Sequence, residues 1–372
     1  MGLRKGALED LVNVDPSFWR GRPVLVTGHT GFKGSWLTLW LHQLGAKIHG
    51  YALDPPTVPS LFEAAGIKSI LASDMRADLA DLAALKAVFK EKRPEVVFHL
   101  AAQPLVRESY RDPLETLKTN VIGTAHVLEA VRASTTVRAA VLISTDKVYE
   151  NRERAYAYRE IDPLGGLDPY SASKAAAEMV AASFRASFFD ESSRHPVHMA
   201  TARAGNVIGG GDWAHDRLLP DCMRAFAAGE PVRLRFPHAV RPWQHVLEPL
   251  SGYLQLATKL LSNEGRKFAR AWNFGPDAGT DATVHEVVKL TARLWGTSEQ
   301  FEIAPSSENH HEAAMLHLDS TLARSVLGWR SRWSLVQALE KTVAWHKAWM
   351  RGADMAAVSI AQIDDYNTIN KE

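Results

Sequence analysis

The chain has 372 residues, 46% hydrophobic and 23% charged, with a formal net charge of +1. That length allows one large or two ordinary domains with a substantial core, and the balanced charge excludes a general attraction to nucleic acid or to an anionic membrane. A single cysteine, Cys222, excludes an internal disulfide and a cysteine-rich metal site.

Met1 to Pro23 mixes Arg4, Lys5, Glu9 and Asp10 with scattered apolar residues and lacks the apolar centre of an export signal. No apolar run reaches the roughly 20 residues that span a bilayer, so a cytoplasmic location is expected. Pro23–Thr27 reads as a strand, followed by Gly28-His29-Thr30-Gly31-Phe32-Lys33-Gly34. Trp36, Leu37, Leu39, Trp40, Leu41 and Leu44 then recur at helical spacing until Gly45. Strand, glycine loop and helix is the context a dinucleotide fingerprint needs, because small residues let the backbone approach a pyrophosphate at the helix N-terminus. The spacing, G-x-x-G-x-x-G, is a variant of G-x-G-x-x-G and places Gly28, Thr30, Gly31, Phe32, Lys33 and Gly34 in a cofactor-binding set. The next strand, Lys47–Ala52, should end near an acid for the ribose hydroxyls. Asp54 lies 20 residues past Gly34, the distance expected for NAD, and no arginine follows at once to meet a 2′-phosphate.

Asp78 and Leu79 precede a helix with Leu82, Leu85 and Phe89 on one face, ended by Arg93-Pro94. The strand from Glu95 to Leu100 runs into Ala101-Ala102-Gln103. Two alanines at a strand end admit a flat ligand, and core packing accounts for them equally well. A helix from Pro113 through Leu128 leads to the run Val137–Ile143, short, unbroken and apolar as in a buried parallel strand. This alternation predicts a Rossmann-type, doubly wound parallel α/β sheet.

Polar residues Ser144-Thr145-Asp146-Lys147-Val148-Tyr149 end that run, where open α/β sheets bind ligands. Asp168 then caps a helix whose first position is Pro169, which puts Tyr170 and Lys174 one turn apart on one face. A free tyrosine titrates near 10 and is a poor base, but a nearby ammonium and the positive end of a helix dipole favour the phenolate. A Tyr-x-x-x-Lys pair is common on ordinary helices, so its weight comes from the upstream fingerprint. The strand His198–Arg203 leads into the glycine-rich loop Ala204–Trp213. Arg233, Arg235 and Arg241 follow, with Pro237, Pro242, Trp243 and His245 among them. This stretch suits either bidentate contact with a phosphorylated ligand or a solvated loop stacked on Trp243. Ala271–Gly275 reads as a late strand. Val284–Leu294, Leu322–Leu327 and Leu335–Trp349 read as helices, with Trp329, Trp333, Trp345 and Trp349 in a core or interface. The fifteen histidines, His310 and His311 included, show no metal-binding spacing, and no metal is expected. The expected division is a dinucleotide-binding domain over 1–203, to which segments near 245–275 return, and a smaller mixed substrate-binding domain over 204–372.

Thr27 to Gly34, His99-Leu100-Ala101-Ala102, Asn120 and the Tyr170/Lys174 pair together resemble the extended short-chain dehydrogenase/reductases that act on sugar nucleotides. More narrowly, Gly31 to Leu37, Ala101 to Arg107, Ser144 to Tyr149 and Arg241 to Glu248 are similar to the CDP-glucose 4,6-dehydratases, whereas dTDP-glucose and GDP-mannose dehydratases carry Thr-Asp-Glu at Thr145-Asp146-Lys147. The resemblance implies NAD-dependent dehydration by internal hydride transfer from C4 to C6. Tyr170 takes the O4 proton, Thr145 holds that hydroxyl, and Lys174 binds the ribose and lowers the Tyr170 pKa. Asp146 is the acid at O6 and Lys147 the base at C5. An amine base must be neutral, which burial and the Lys174 charge would favour. The resemblance also places Gln103, Asn206, Arg235 and Arg241 on the substrate and adds Asp78, Leu79, Ala101, Ala102, Gln103, Tyr170 and Lys174 to the NAD contacts. It implies a homodimer paired through the helices near Pro113–Leu128 and Tyr170–Phe189. The ribose-binding Asp of the sugar epimerases falls at Ala52; Asp54 keeps the same face if the strand runs on. A nucleotide-sugar 4-epimerase, which needs Tyr170 but no Asp146–Lys147 pair, and a non-catalytic NAD-binding protein are the alternatives.

Overall fold

Seven short strands align in parallel into one sheet: β1 (Pro23–Thr27), β2 (Lys47–Ala52), β3 (Ser73–Arg76), β4 (Val96–His99), β5 (Ala139–Ile143), β6 (His198–Arg203) and a late strand, Ala271–Asn273. The computed structural model describes residues 15–153, 156–189, 196–277, 282–304 and 315–368. Arg4, Lys5, Glu9, Asp10, His310 and His311 lie outside them.

The central strands β1, β4 and β5 are mostly apolar because both faces are covered. Along β1, Val24 and Val26 enter one core and Leu25 the other; along β4, Val96 and Phe98 divide from Val97 in the same way. The first core is closed by the helices Phe32–Gln43, Leu247–Leu260 and Met355–Thr368, through Trp36, Trp40, Leu250, Leu254, Ile363 and Tyr366. The second is closed by Leu82–Lys92, Gly123–Ala133 and Pro169–Phe188, through Leu85, Phe89, Val127, Val131 and Ala181. Trp329, Trp333 and Trp345 are buried in the first core, with Trp349 packed against it.

Four small strands between β6 and the late strand, namely β7 (Val207–Ile208), β8 (Val232–Leu234), β9 (Val240–Arg241) and β10 (Gln244–His245), make the late strand β11 in chain order. β12 (Ala282–Thr283) and β13 (Phe301–Ile303) then pair with β9 and β8. Around them the helices Leu218–Ala228, Val284–Trp295 and Leu335–Met350 bury a third apolar cluster that includes Leu219, Phe226, Leu234, Val287 and Leu339. β11 meanwhile pairs with β6 and extends the main sheet. The order along the sheet is β11-β6-β5-β4-β1-β2-β3, so the direction of winding reverses between β1 and β4. That reversal opens a crevice at the carboxyl ends of these strands.

Candidate active site

A cleft of about 860 Å³ occupies this crevice. Its floor is the glycine loop. Gly28 has φ +75°, and a Cβ there would stand 2.6 Å from Ala101 N; a Cβ on Gly34 would stand 2.1 Å from Gly28 O. Only glycine permits both approaches. The Phe32–Gln43 helix, with Gly31 at its N-cap, therefore points its first N–H groups into the cleft beside Ala101 and Ala102, a cradle for a pyrophosphate. Thr30, Phe32, Lys33, Asp54, Asp78 and Leu79 also line it.

Two residues of the expected cofactor set are placed differently. β2 ends at Ala52 and does not run on to Asp54, whose side chain is 89% exposed and 3.7 Å from Arg76. Arg76 arrives from β3, in register with Ala52, and also pairs with Asp74 at 2.8 Å. β3 lies 22 residues further on, so this neighbour of the ribose position leaves no mark near Asp54 in the sequence. Gln103 is not among the cleft-lining residues. Its amide donates to Leu105 O at 3.1 Å and Thr116 Oγ1 at 2.8 Å and accepts from Leu105 N, so it shapes the loop instead of facing a ligand. Asn120 holds the same loop: its Oδ1 accepts from Gln103 N at 2.8 Å and its Nδ2 donates to Ser173 Oγ at 2.8 Å. It lies in a π-turn, Lys118–Ile122, inside the long predicted helix, a device often found at functional sites.

The reacting groups converge from two elements. Thr145, at the end of β5, caps the single turn Asp146–Val148 and donates to Asp146 Oδ1 at 3.0 Å. The Asp168 cap accepts from Ser171 N at 2.9 Å and starts the Pro169–Phe188 helix, which carries Tyr170 and Lys174 into the cleft. Tyr170 shares a hydrogen bond with Thr145. The Tyr170 pKa is raised, not lowered as the pairing with Lys174 would suggest. Burial pushes the phenol up to about 12; the Thr145 hydrogen bond opposes this and the Asp146 charge adds to it. The Lys174 ammonium is turned to the Ile143 carbonyl at 3.1 Å, and its own pKa falls to about 8 through burial, against the pull of Glu178. Glu178, one turn further along, is itself fixed by Arg203 (2.9 Å) and Thr201 (2.7 Å).

Asp146 is buried, and its Oδ2 has no hydrogen-bond partner among the described residues. A Cβ on residue 205 would lie 1.8 Å from that oxygen, which explains Gly205. Lys147 is only half-buried; it lines both the main cleft and an adjoining pocket of about 250 Å³, as does Arg241. Asn206 and Arg235 line the main cleft.

Sequence reasoning set Lys33 with the cofactor loop but missed Arg217 and Asp216. Lys33 reaches the middle of the cleft, where burial and then the Arg217 and Lys174 charges pull its pKa to about 7, against Asp146 and Asp212. Arg217, held by Asp212 at 2.9 Å, acts electrostatically on Tyr170. Asp216 joins Arg107 and Arg235. The only trace in the sequence is a cluster of charges after a glycine-rich loop.

Parallel winding, the glycine loop and a Thr–Tyr–Lys group at the switch point define an extended short-chain dehydrogenase/reductase. The chain belongs to the family whose model is described as GDP-mannose 4,6 dehydratase, which matches residues 25–342. It is 51% identical over 356 residues to the CDP-glucose 4,6-dehydratase of Salmonella typhimurium, covering 95% of this chain and 98% of that one. It is 30% identical to the UDP-glucose 4-epimerase of Mycolicibacterium smegmatis, covering 86% and 96%. Among solved structures, MoeE5 in complex with UDP-glucuronic acid and NAD superposes with a TM-score of 0.74 at 28% identity, covering 88% of this chain and 99% of that one.

Proposed function

We propose that this protein is an NAD-dependent hydro-lyase that converts CDP-glucose to CDP-4-keto-6-deoxyglucose. The carrying observation is that Asp146 and Lys147 line the cleft that holds Thr145, Tyr170 and Lys174, because an acid and a base beside the redox group are what separates dehydration from epimerisation. The 51% identity to a CDP-glucose 4,6-dehydratase supports the substrate, and the glycine cradle supports the dinucleotide.

When bound, NAD supplies the hydride acceptor and donor of the cycle. Gly28, Gly31 and Gly34 hold its pyrophosphate by backbone, and Lys174 its nicotinamide ribose. Tyr170 takes the O4 proton while Thr145 orients that hydroxyl. The resulting ketone acidifies C5–H, Lys147 removes that proton, and Asp146, through its orphaned Oδ2, protonates the departing O6. Water is lost across C5 and C6. Asn206 and Arg241 hold the diphosphate and its sugar, and Arg235 the nucleotide end.

Among the described residues no helix is long and apolar enough to cross a membrane; we place the enzyme in the cytoplasm, with its nucleotide substrate. Exposed apolar side chains on adjacent helices, Leu114, Leu117 and Ile122 beside Met179, support a homodimer.

Lys147→Ala tests the assignment. It should still exchange hydride at C4 while elimination falls by about a hundredfold or more, the usual scale for a general base. Full activity of an Asp146→Asn/Lys147→Ala double variant would instead establish 4-epimerisation.

A further inference from the structure

Leu234, Arg235, Phe236, Trp243 and Asp216 line the same cleft as Arg241. Asp216 Oδ1 accepts from Arg107 Nη1 at 2.9 Å and from Arg235 Nη1 at 2.8 Å. Arg235 Nη2 also reaches the Asp216 carbonyl at 3.4 Å. Asp216 adopts φ +63°, a left-handed conformation that aspartate tolerates better than most residues. Burial works against its ionisation, but the two guanidinium groups outweigh burial and hold the carboxyl below its usual range. Both ion pairs fall on Oδ1, and the side chain keeps 26% of its surface exposed. An acceptor-only group flanked by a rigid donor and by apolar surface is suited to the edge of a flat heterocycle.

We propose that Asp216 reads the base of the nucleotide sugar, its carboxylate accepting from the exocyclic amino group of cytosine while Arg235 donates to the neighbouring ring acceptors. This rests on the substrate reading above and sharpens it. Cytosine carries an amino donor where uracil and thymine carry a carbonyl acceptor. A carboxylate facing that carbonyl leaves two acceptors opposed, with no proton between them. The site therefore rejects uridine and thymidine nucleotides as well as attracting cytidine ones. Arg107 and Arg235 position the carboxylate from two parts of the chain, 109 residues apart for the Arg107 contact.

The experiment compares kcat/KM for CDP-glucose and UDP-glucose in the NAD-loaded wild type, Asp216→Asn and Arg107→Gln. Asp216→Asn can turn an N–H toward the uracil carbonyl, and the CDP-over-UDP preference should shrink by about ten- to a hundredfold, the range for one good base contact. Arg107→Gln keeps the carboxylate but loosens it, so the preference should shrink less than in Asp216→Asn; a loss as large as that in Asp216→Asn would overturn the assignment. Equal losses on both substrates in Asp216→Asn overturn the assignment and leave Asp216 a strut between arginines. Competition by free CDP and UDP, read from tryptophan fluorescence, poses the same question to the wild type without a variant. A protein that converts CDP-glucose yet binds CDP and UDP alike overturns this inference alone. One that leaves CDP-glucose untouched, or prefers UDP-glucose or GDP-glucose, overturns the substrate reading.

Discussion

Lys33 and Lys174 are two cations held close to neutrality in one cleft, with pKa values drawn down to about 7 and about 8 mainly by burial. A bound pyrophosphate favours their charged forms, so cofactor binding takes up protons and should weaken as pH rises. The direction follows from linkage: groups that are partly neutral in the free protein and charged in the complex favour the complex at low pH. NAD affinity, titrated by tryptophan fluorescence, should fall as pH rises from about 7, where Lys33 begins to lose its proton in the free protein, by up to about tenfold per unit for each linked proton. Lys33→Met should remove the lower part of that dependence and leave the part near 8. An affinity independent of pH would show that neither lysine senses the charge of the bound dinucleotide. Tyr170, pushed up to about 12, is unsuited to act as a base in the free cleft. Positive charge brought close to the phenol favours its phenolate and opposes the effect of burial.

At the scale of elements, the strands were most readable where both faces are covered, as in β1, β4 and β5, because a nearly unbroken apolar run admits few other structures. β3 escaped notice: Ser73-Asp74-Met75-Arg76 is a polar edge strand whose position is set by pairing with β2, not by its own pattern. The helix Leu247–Leu260 was also missed: its polar residues Glu248, Ser251, Gln255 and Lys259 recur at helical spacing, but the first three are buried, so the helix has almost no solvent face. The Pro113–Ala133 segment has the opposite property: it presents apolar residues to solvent. Leu114 is 77% exposed and Met179, on the neighbouring Pro169–Phe188 helix, 64%. Apolar surface of this kind on paired helices marks an interface. Light scattering should give twice the chain mass for the wild type, and Leu114→Glu with Met179→Glu should give the monomer. A monomeric wild type would refute the homodimer.

At the scale of the molecule, the convergence of Thr145, Asp146, Lys147, Tyr170 and Lys174 on one cleft was legible because each sits in a local pattern: Thr145 to Lys147 at a strand end, Tyr170 and Lys174 one helical turn apart. The groups that tune them were not. Arg76 meets Asp54 only through the pairing of β3 with β2, and Arg217 beside Tyr170 and Asp216 between Arg107 and Arg235 meet only because the chain after β6 folds back over the sheet's carboxyl edge. That return encloses redox, acid and base groups in a single cleft, so a hydride removed at one carbon can be given back at another before the sugar leaves. The direct measurement is the fate of deuterium in CDP-[4-²H]glucose. The predicted product is CDP-4-keto-6-deoxyglucose with the deuterium at C6 and no accumulation of reduced cofactor. Deuterium still at C4 of an epimerised sugar, or retained on the cofactor beside an unreduced product, would contradict it.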